Sequence, residues 1–252
     1  MCVVALAWNI HPRWRLLLAG NRDEFHARPT AALARWPGST VIAGRDLRSG
    51  GTWVGIDGRG RMAVVTNVRD GSALPHEGPS RGALPLAFLE GAADAATLTA
   101  GLRATAMSYA PYNLVLADAG GGWHLGNHPV RREPLAAGVH GISNGAIDAP
   151  WPKTRYLTAA LRTWIDARSD DLQPLWTALA DERPAPDAEL PDTGVGIELE
   201  RRLSPAFVRG DAYGTRASTI IAIDRDGRGF IVERRFGPNG IFEGETMLRN
   251  DD

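Results

Sequence analysis

The only thiol in the chain is Cys2, directly after the initiator methionine. Methionine ahead of a small residue is ordinarily trimmed, and trimming here would leave a cysteine bearing both a thiol and a free α-amino group. These groups titrate near about 8.5 and about 8, so one residue can supply nucleophile and base at neutral pH. Cys2 also opens the apolar run Cys2-Val3-Val4-Ala5-Leu6-Ala7-Trp8, which reads as a buried β-strand. A small apolar residue at a strand start is the plainer account, because free cysteine is among the most buried residue types.

Four polar clusters near strand ends could surround such a thiol. Asn21-Arg22-Asp23-Glu24-Phe25 follows a strand over 15–20 and reads as a turn in which Arg22 could lower the pKa of a nearby thiol. A salt-bridged surface turn is the alternative. Val64-Val65-Thr66-Asn67-Val68-Arg69 ends a strand in an amide that can donate to a developing oxyanion, or merely cap a turn. Thr66 and Arg69 beside it are candidate substrate contacts. Gly141-Ile142-Ser143-Asn144-Gly145 resembles a hairpin turn, yet it leads toward a helix and not a partner strand. Tyr213-Gly214-Thr215-Arg216 precedes a strand, where Arg216 could orient a carboxylate or a nucleophile, or lie on the surface. Gly50-Gly51-Thr52-Trp53 permits close backbone approach, with Trp53 lining a pocket.

Other chemistries fit poorly. The glycine spacing of a dinucleotide or phosphate loop is missing, and so is a Gly-x-Ser-x-Gly elbow. His11, His26, His76, His124, His128 and His140 are scattered, and one cysteine cannot build a disulfide framework or a cysteine-based zinc cluster. No cofactor or metal is expected. Lys153 is the only lysine and the only Schiff-base candidate. A net charge of −1 gives no global field toward nucleic acid or anionic lipid. Asn9, His11, Arg13 and Arg15 interrupt the first apolar residues, which excludes a signal peptide or membrane span at that point and makes a cytoplasmic location the expectation. Abundant arginine, alanine, glycine and proline point to a GC-rich bacterial genome.

The elements that must position these residues come in the order strands, helix, strands, helices, strands. Strands are expected over 2–8, 15–19, 41–43, 52–56 and 62–66. A helical region capped by Ser80 follows, with Gly91 and Gly101 as breaks. More strands are expected over 113–117, 122–125 and 139–143, then helices over 153–167 and 170–181. A mobile surface loop over 183–196 and a hairpin of 217–224 with 229–236 complete the chain. Two sheets covered by helices satisfy this order in one domain, residues 1–252.

Taken together, Cys2 and Asn21-Arg22-Asp23-Glu24 resemble the NRDE-motif family, also called the transport and Golgi organisation protein 2 family. The resemblance continues through Arg45-Asp46-Leu47, Gly50-Gly51-Thr52-Trp53, Thr66-Asn67-Val68-Arg69, Ser80-Arg81-Gly82, Tyr112-Asn113-Leu114, Ser143-Asn144-Gly145 and Thr215-Arg216-Ala217-Ser218-Thr219. That family is in turn similar to the N-terminal-nucleophile hydrolases, which implies an α+β fold: a four-layer αββα sandwich of two mainly antiparallel sheets. By analogy with the cysteine branch that cleaves linear amides, Cys2 would be the nucleophile and its α-amine the base. Asp23 or Glu24 would hold the amine, and Arg22 would lie near the thiolate. Asn67 and Asn144 would serve the oxyanion, with Arg216 in support. The relatives carry Arg first and Asp a few residues later, so the resemblance leaves open which of Asp23 and Glu24 faces Cys2. Eukaryotic members are linked to secretory organisation, acyl-CoA and lipid metabolism and haem trafficking. The alternative is therefore a binding protein for haem or an acyl lipid, with Trp8, Trp36 and Trp53 lining an apolar cleft. A scaffold whose polar clusters only fix turns is a third reading.

Overall fold

The computed structural model describes residues 2–71, 77–168 and 170–251; Met1 and His76 lie outside them. In chain order the strands and helices are β1 (Cys2–Trp8), β2 (Trp14–Phe25), β3 (Thr30–Arg35), β4 (Val41–Asp46), β5 (Val54–Asp57), β6 (Met62–Asn67), α1 (Ala83–Glu90) and α2 (Ala95–Leu102). Then follow β7 (Tyr112–Ala117), β8 (Gly122–Asn127), β9 (Val130–Pro134), β10 (Gly138–Ile142), α3 (Pro152–Ala167), α4 (Gln173–Leu179) and α5 (Ile197–Arg202). The chain closes with β11 (Tyr213–Asp224), β12 (Gly229–Phe236) and β13 (Phe242–Arg249).

Backbone pairing joins these strands into two antiparallel sheets. One has the order β10-β1-β2-β11-β12-β13, the other β3-β4-β5-β6-β7-β8-β9. In the first sheet Val3, Ala5, Leu17 and Ala19 pack against Leu157, Leu161 and Trp164 of α3 and Leu175 of α4. Their neighbours Val4, Leu6, Leu16 and Leu18 face Ile42, Ile56, Met62 and Val64 of the second sheet. The outer face of that sheet buries Ala63, Leu114 and Leu116 beneath Leu84, Phe88 and Leu89 of α1. Because both faces of each sheet are covered, the result is a four-layer αββα sandwich of the α+β class, as the resemblance implied.

Buried polar links join the layers. Arg61 pairs with Asp57 at 2.9 Å and donates to the carbonyls of Leu89, Gly91 and Ala93, meeting groups that a helix C-terminus leaves unsatisfied. Glu233 on β12 accepts the Leu33 N–H of β3 at 3.0 Å, bridging the two sheets.

Several elements depart from expectation for physical reasons. β3, β9 and β13 are edge strands whose side chains are largely exposed, so their sequences lack the apolar alternation that marks a strand. Only Glu200 is buried in the charged helix α5, so it too lacks an apolar signature. Gly91 ends α1 as expected, but Gly101 lies inside α2 and breaks nothing. Ser80 accepts the Gly82 N–H at 3.2 Å in the turn before α1, and Gly82 itself holds the N-cap position. The 183–196 segment is tied at Asp187, Glu189 and Thr193, by ion pairs to Arg201 and Arg155 and by hydrogen bonds from Thr193 to Glu200. The largest correction is β2. It continues through Phe25, so the 21–24 cluster is not a turn after a strand but part of one.

Burial pushes the Glu233 carboxyl up to about 7, with the Leu33 N–H opposing. The unfolded chain releases this proton near about 4.3, so the contribution falls as pH climbs from there to about 7 and stays lost above. Glu233→Gln keeps an acceptor for Leu33 without the charge. Calorimetric unfolding of this variant should show a gain of about 3 to 4 kcal/mol at pH 8 and almost none at pH 4.

Candidate active site

β2 runs between β1 and β11, and its register sets the site. Cys2 lies opposite Arg22, and Arg22 lies opposite Ala217 on the other side. Side chains alternate along a strand, so Cys2, Arg22 and Glu24 share the face between the sheets, while Asn21 and Asp23 face the helical layer. Arg216 is the extra residue of a bulge between Thr215 and Ala217.

A cleft of about 310 Å³ opens where the sheets part. Cys2, Arg22, Asp23 and Glu24 form one wall, with Tyr213 beside them. Thr52, Trp53, Val65, Thr66 and Asn67 form the other, and Ser80, Arg81 and Gly82 close the side. Gly51 makes this closure possible: a Cβ there would lie 2.4 Å from the Gly82 carbonyl, so only glycine lets the two loops touch. The Thr52 N–H then donates to Gly82 O at 3.1 Å.

The Cys2 thiol is held up in pKa by burial, and the Asp23 carboxylate adds to that; the Arg22 guanidinium and the Asp23 backbone N–H oppose it. At rest the thiol is therefore protonated and requires a base. Burial also raises the Asp23 carboxyl, against the Lys153 ammonium and the Thr215 hydroxyl, which donates to Oδ1 at 2.6 Å. Lys153 is buried on the helical side and donates to Leu203 O at 2.9 Å. It does not line the cleft, where a Schiff base with substrate would have to form.

Opposite the thiol, amides form a relay. Asn144 is fully buried and its Nδ2 donates to Asn67 O at 3.1 Å and Oδ1 at 3.0 Å. Asn67, its side-chain oxygen engaged by Asn144, lines the cleft. Ser143 Oγ donates to Cys2 O at 3.0 Å, and Thr66 Oγ1 donates to Ser143 O at 2.9 Å. The two asparagine motifs thus lock to each other and to the Cys2 backbone.

Arg22 stacks over Trp53 at 4.4 Å and approaches Glu24 at 3.7 Å and Asp46 at 3.8 Å. Asp46 is also held by Arg28 at 2.5 Å. Burial alone would raise the Asp46 carboxyl, but the bonds from Arg28 and the Ser49 N–H leave it below the usual range.

Cys2, Arg22, Asp23, Glu24, Trp53, Thr66 and Asn67 thus meet in one cleft, with Asn144 directly behind. Two candidates do not join them. Arg69 points away, pairing with Glu200 at 2.5 Å and stacking on Trp151, although its N–H donates to Asn144 O at 2.7 Å. Arg216 donates to Phe25 O, Arg28 O and Thr30 Oγ1 and lines a neighbouring cleft. Nor do the tryptophans share a cleft: Trp8 is in the core between the sheets and Trp36 in the core beneath the helices, so Trp53 alone reaches the site. Sequence reasoning passed over Arg28, Asp46, Arg81 and Tyr213 as site residues. Asp46 and Arg81 lie within two of the motifs that carry the family resemblance, Arg45-Asp46-Leu47 and Ser80-Arg81-Gly82, which are the available signal.

The description "Transport and Golgi organisation 2" belongs to the family model that matches residues 1–238. The "Transport and Golgi organization protein 2 homolog" of Bos taurus is 31% identical, covering 93% of this chain and 92% of that protein. Its Homo sapiens counterpart is 30% identical, covering 98% and 97%. These relatives are animal proteins and lend the bacterial reading no support. Among solved structures, a Caenorhabditis elegans N-acylethanolamine-hydrolyzing acid amidase (NAAA) ortholog is 11% identical with a TM-score of 0.53, covering 89% of this chain and 93% of that one. The C2A mutant of the conjugated bile acid hydrolase from Clostridium perfringens is 7% identical with a TM-score of 0.53, covering 100% and 94%. Likeness at such identity extends to the fold, which is that of the N-terminal-nucleophile hydrolases. No helix among the described residues is long and apolar enough to cross a membrane. The sequence match over nearly the whole length decides the family: this chain belongs to the transport and Golgi organisation 2 family.

Proposed function

We propose that this chain is a cytoplasmic, single-domain N-terminal-cysteine hydrolase that cleaves a non-peptide amide, or a related acyl ester, of a small molecule. The observation that carries the reading is the placement of Cys2 across one cleft from Asn67, with Asp23 beside the cysteine.

Removal of Met1 frees the Cys2 amine, which takes the thiol proton. Sulfur attacks the carbonyl carbon, and the oxygen that gains charge accepts from Asn67 Nδ2. Asn144 holds that amide in position. The tetrahedral adduct collapses as the leaving amine takes the proton back from the α-ammonium. Water, deprotonated by the same amine, then cleaves the thioester and restores the thiol. Asp23 holds the ammonium, and Arg22 steadies the thiolate.

The charged lining favours a polar substrate. Arg22, Arg28 and Arg81 alternate with Asp23, Glu24 and Asp46, a poor match to the apolar faces of haem or an acyl chain.

Two tests follow. Intact mass of the purified protein should correspond to loss of Met1; a retained methionine blocks the amine and overturns the mechanism. With the freed amine taking the thiol proton, iodoacetamide should alkylate Cys2 at pH 7.5, and Arg22→Gln, which removes a cation that opposes the effect of burial, should slow it. Against a panel of acyl amides, Cys2→Ala should abolish turnover. Asn67→Ala should lower kcat by about 100-fold, equivalent to about 3 kcal/mol, with KM little changed. Full turnover in Cys2→Ala would refute the assignment.

A further inference from the structure

The charges lining the Cys2 cleft do not cancel evenly. On the β2 side, Arg22 and Arg28 share two carboxylates. Arg22 lies 3.7 Å from Glu24 and 3.8 Å from Asp46, and Arg28 lies 3.8 Å from Glu24 and 2.5 Å from Asp46. Asp23 takes its hydrogen bond from Thr215. Arg81, on the loop that closes the side of the cleft, forms no ion pair with any described residue. Among the described residues its guanidinium makes one hydrogen bond, from Nη1 to Pro111 O at 2.9 Å.

Arg81 is half-buried and not sealed. Among the described residues Nε and Nη2 have no partner, yet neither is a buried orphan, so both keep surface on a side chain that lines the cleft. These two nitrogens form one edge of the guanidinium fork, the edge that matches the two oxygens of a carboxylate. The side chain is placed before anything binds. The Ala83 N–H donates to Ser80 O at 3.0 Å and the Leu84 N–H to Arg81 O at 3.1 Å, which coils the turn ahead of α1. The close approach of Gly51 to Gly82 holds that turn, and the Pro111 carbonyl holds the guanidinium.

Arg81 also stands within the field of the thiol. Burial lowers its pKa, and the Cys2 sulfur and the Glu24 carboxylate oppose this through charge alone, while Arg28 adds to it. The guanidinium keeps its charge at neutral pH, and a half-desolvated cation without a counter-charge is costly. At about 310 Å³ the cleft is at the lower end for small-molecule sites, so one compact molecule that reaches Cys2 also reaches Arg81.

We propose that Arg81 is the specificity-determining residue of this cleft, and that the substrate is an acyl amide or ester carrying a carboxylate near the scissile bond, seated on the Nε–Nη2 edge. The substrate class rests on the hydrolase reading; the anion site does not. The acid can belong to the amine half of the molecule or to the acyl half, and the probes below separate the two.

Calorimetric titration of the full chain carrying Cys2→Ala, which keeps probes from turning over, uses two matched pairs. N-Acetylglycine, with its acid on the amine half, is set against N-acetylglycinamide. N-Methylsuccinamate, with its acid on the acyl half, is set against N-methylsuccinamide. At least one acid should bind saturably and about tenfold or more tighter than its neutral partner, and the one that does assigns the half that Arg81 reads. Arg81→Gln should abolish the preference, and Arg81→Lys should retain part of it. A second measurement needs no variant: the ratio of iodoacetate to iodoacetamide alkylation rates at Cys2 should exceed that of free cysteine several-fold. Equal affinity for acids and neutral partners would overturn the proposal, as would a preference that survives Arg81→Gln or an alkylation ratio no higher than that of free cysteine. Failure of the hydrolase reading looks different. Retained Met1, or no turnover of any amide, removes hydrolysis and leaves the charge preference in binding; turnover of neutral amides without that preference keeps the hydrolase and removes the role of Arg81.

Discussion

A strand covered on both faces has no water to receive its side chains, yet β2 carries Asn21, Arg22, Asp23 and Glu24 in succession. Asn21, Arg22 and Asp23 are almost wholly buried. Burying such groups is costly unless partners inside the protein take them up. The alternation of the strand divides the task. Asn21 donates to Leu179 O and Ala206 O, each at 2.8 Å, and accepts from Ser218 Oγ at 2.6 Å. Asp23 accepts from Thr215 on the same face. Arg22 and Glu24 turn to the second sheet and its loops. This motif therefore ties the helical layer to one face of the first sheet and the second sheet to the other.

The same division sets the chemistry. Asp23 reaches Cys2 through its backbone N–H and its charge, while its carboxylate lies toward Thr215 and the field of Lys153. Arg22 stands on the thiol's own face, between two clefts. Charges of both signs sit close together in a poorly solvated place, where each shifts the protonation of the others. The Asn67–Asn144 pair is coupled to this arrangement through Ser143, which holds the Cys2 carbonyl.

Strong elements were legible because a continuous apolar run marks the doubly covered strands and helical spacing of apolar residues marks α3. β1 matches its expected limits, α3 exceeds its expectation by one residue, and β6 and β7 by one residue each. Edge strands and the charged helix α5 were not legible, since exposed residues carry no apolar period. Within the site, Cys2, Arg22, Asp23, Asn67 and Asn144 could be named from residue type and position. Asp46 and Arg81 were marked only by motifs that assign them no role, and Arg28 by nothing, because a charged residue near a turn looks like surface until another loop covers it.

By itself the sequence determined the layered fold class, the family and the residues able to do chemistry, because apolar period, residue type and motif order are local properties of the chain. Tertiary structure alone decided which of those residues meet. The 21–24 cluster became strand and not turn because β11 pairs with all four residues and β1 with Asn21 and Arg22, a non-local pairing absent from any short window. The bulge at Arg216 set that side chain in the neighbouring cleft, and the pleat of β2 sent Asp23 and Glu24 to opposite faces. Such outcomes depend on register between strands nearly two hundred residues apart, which no spacing along the chain encodes.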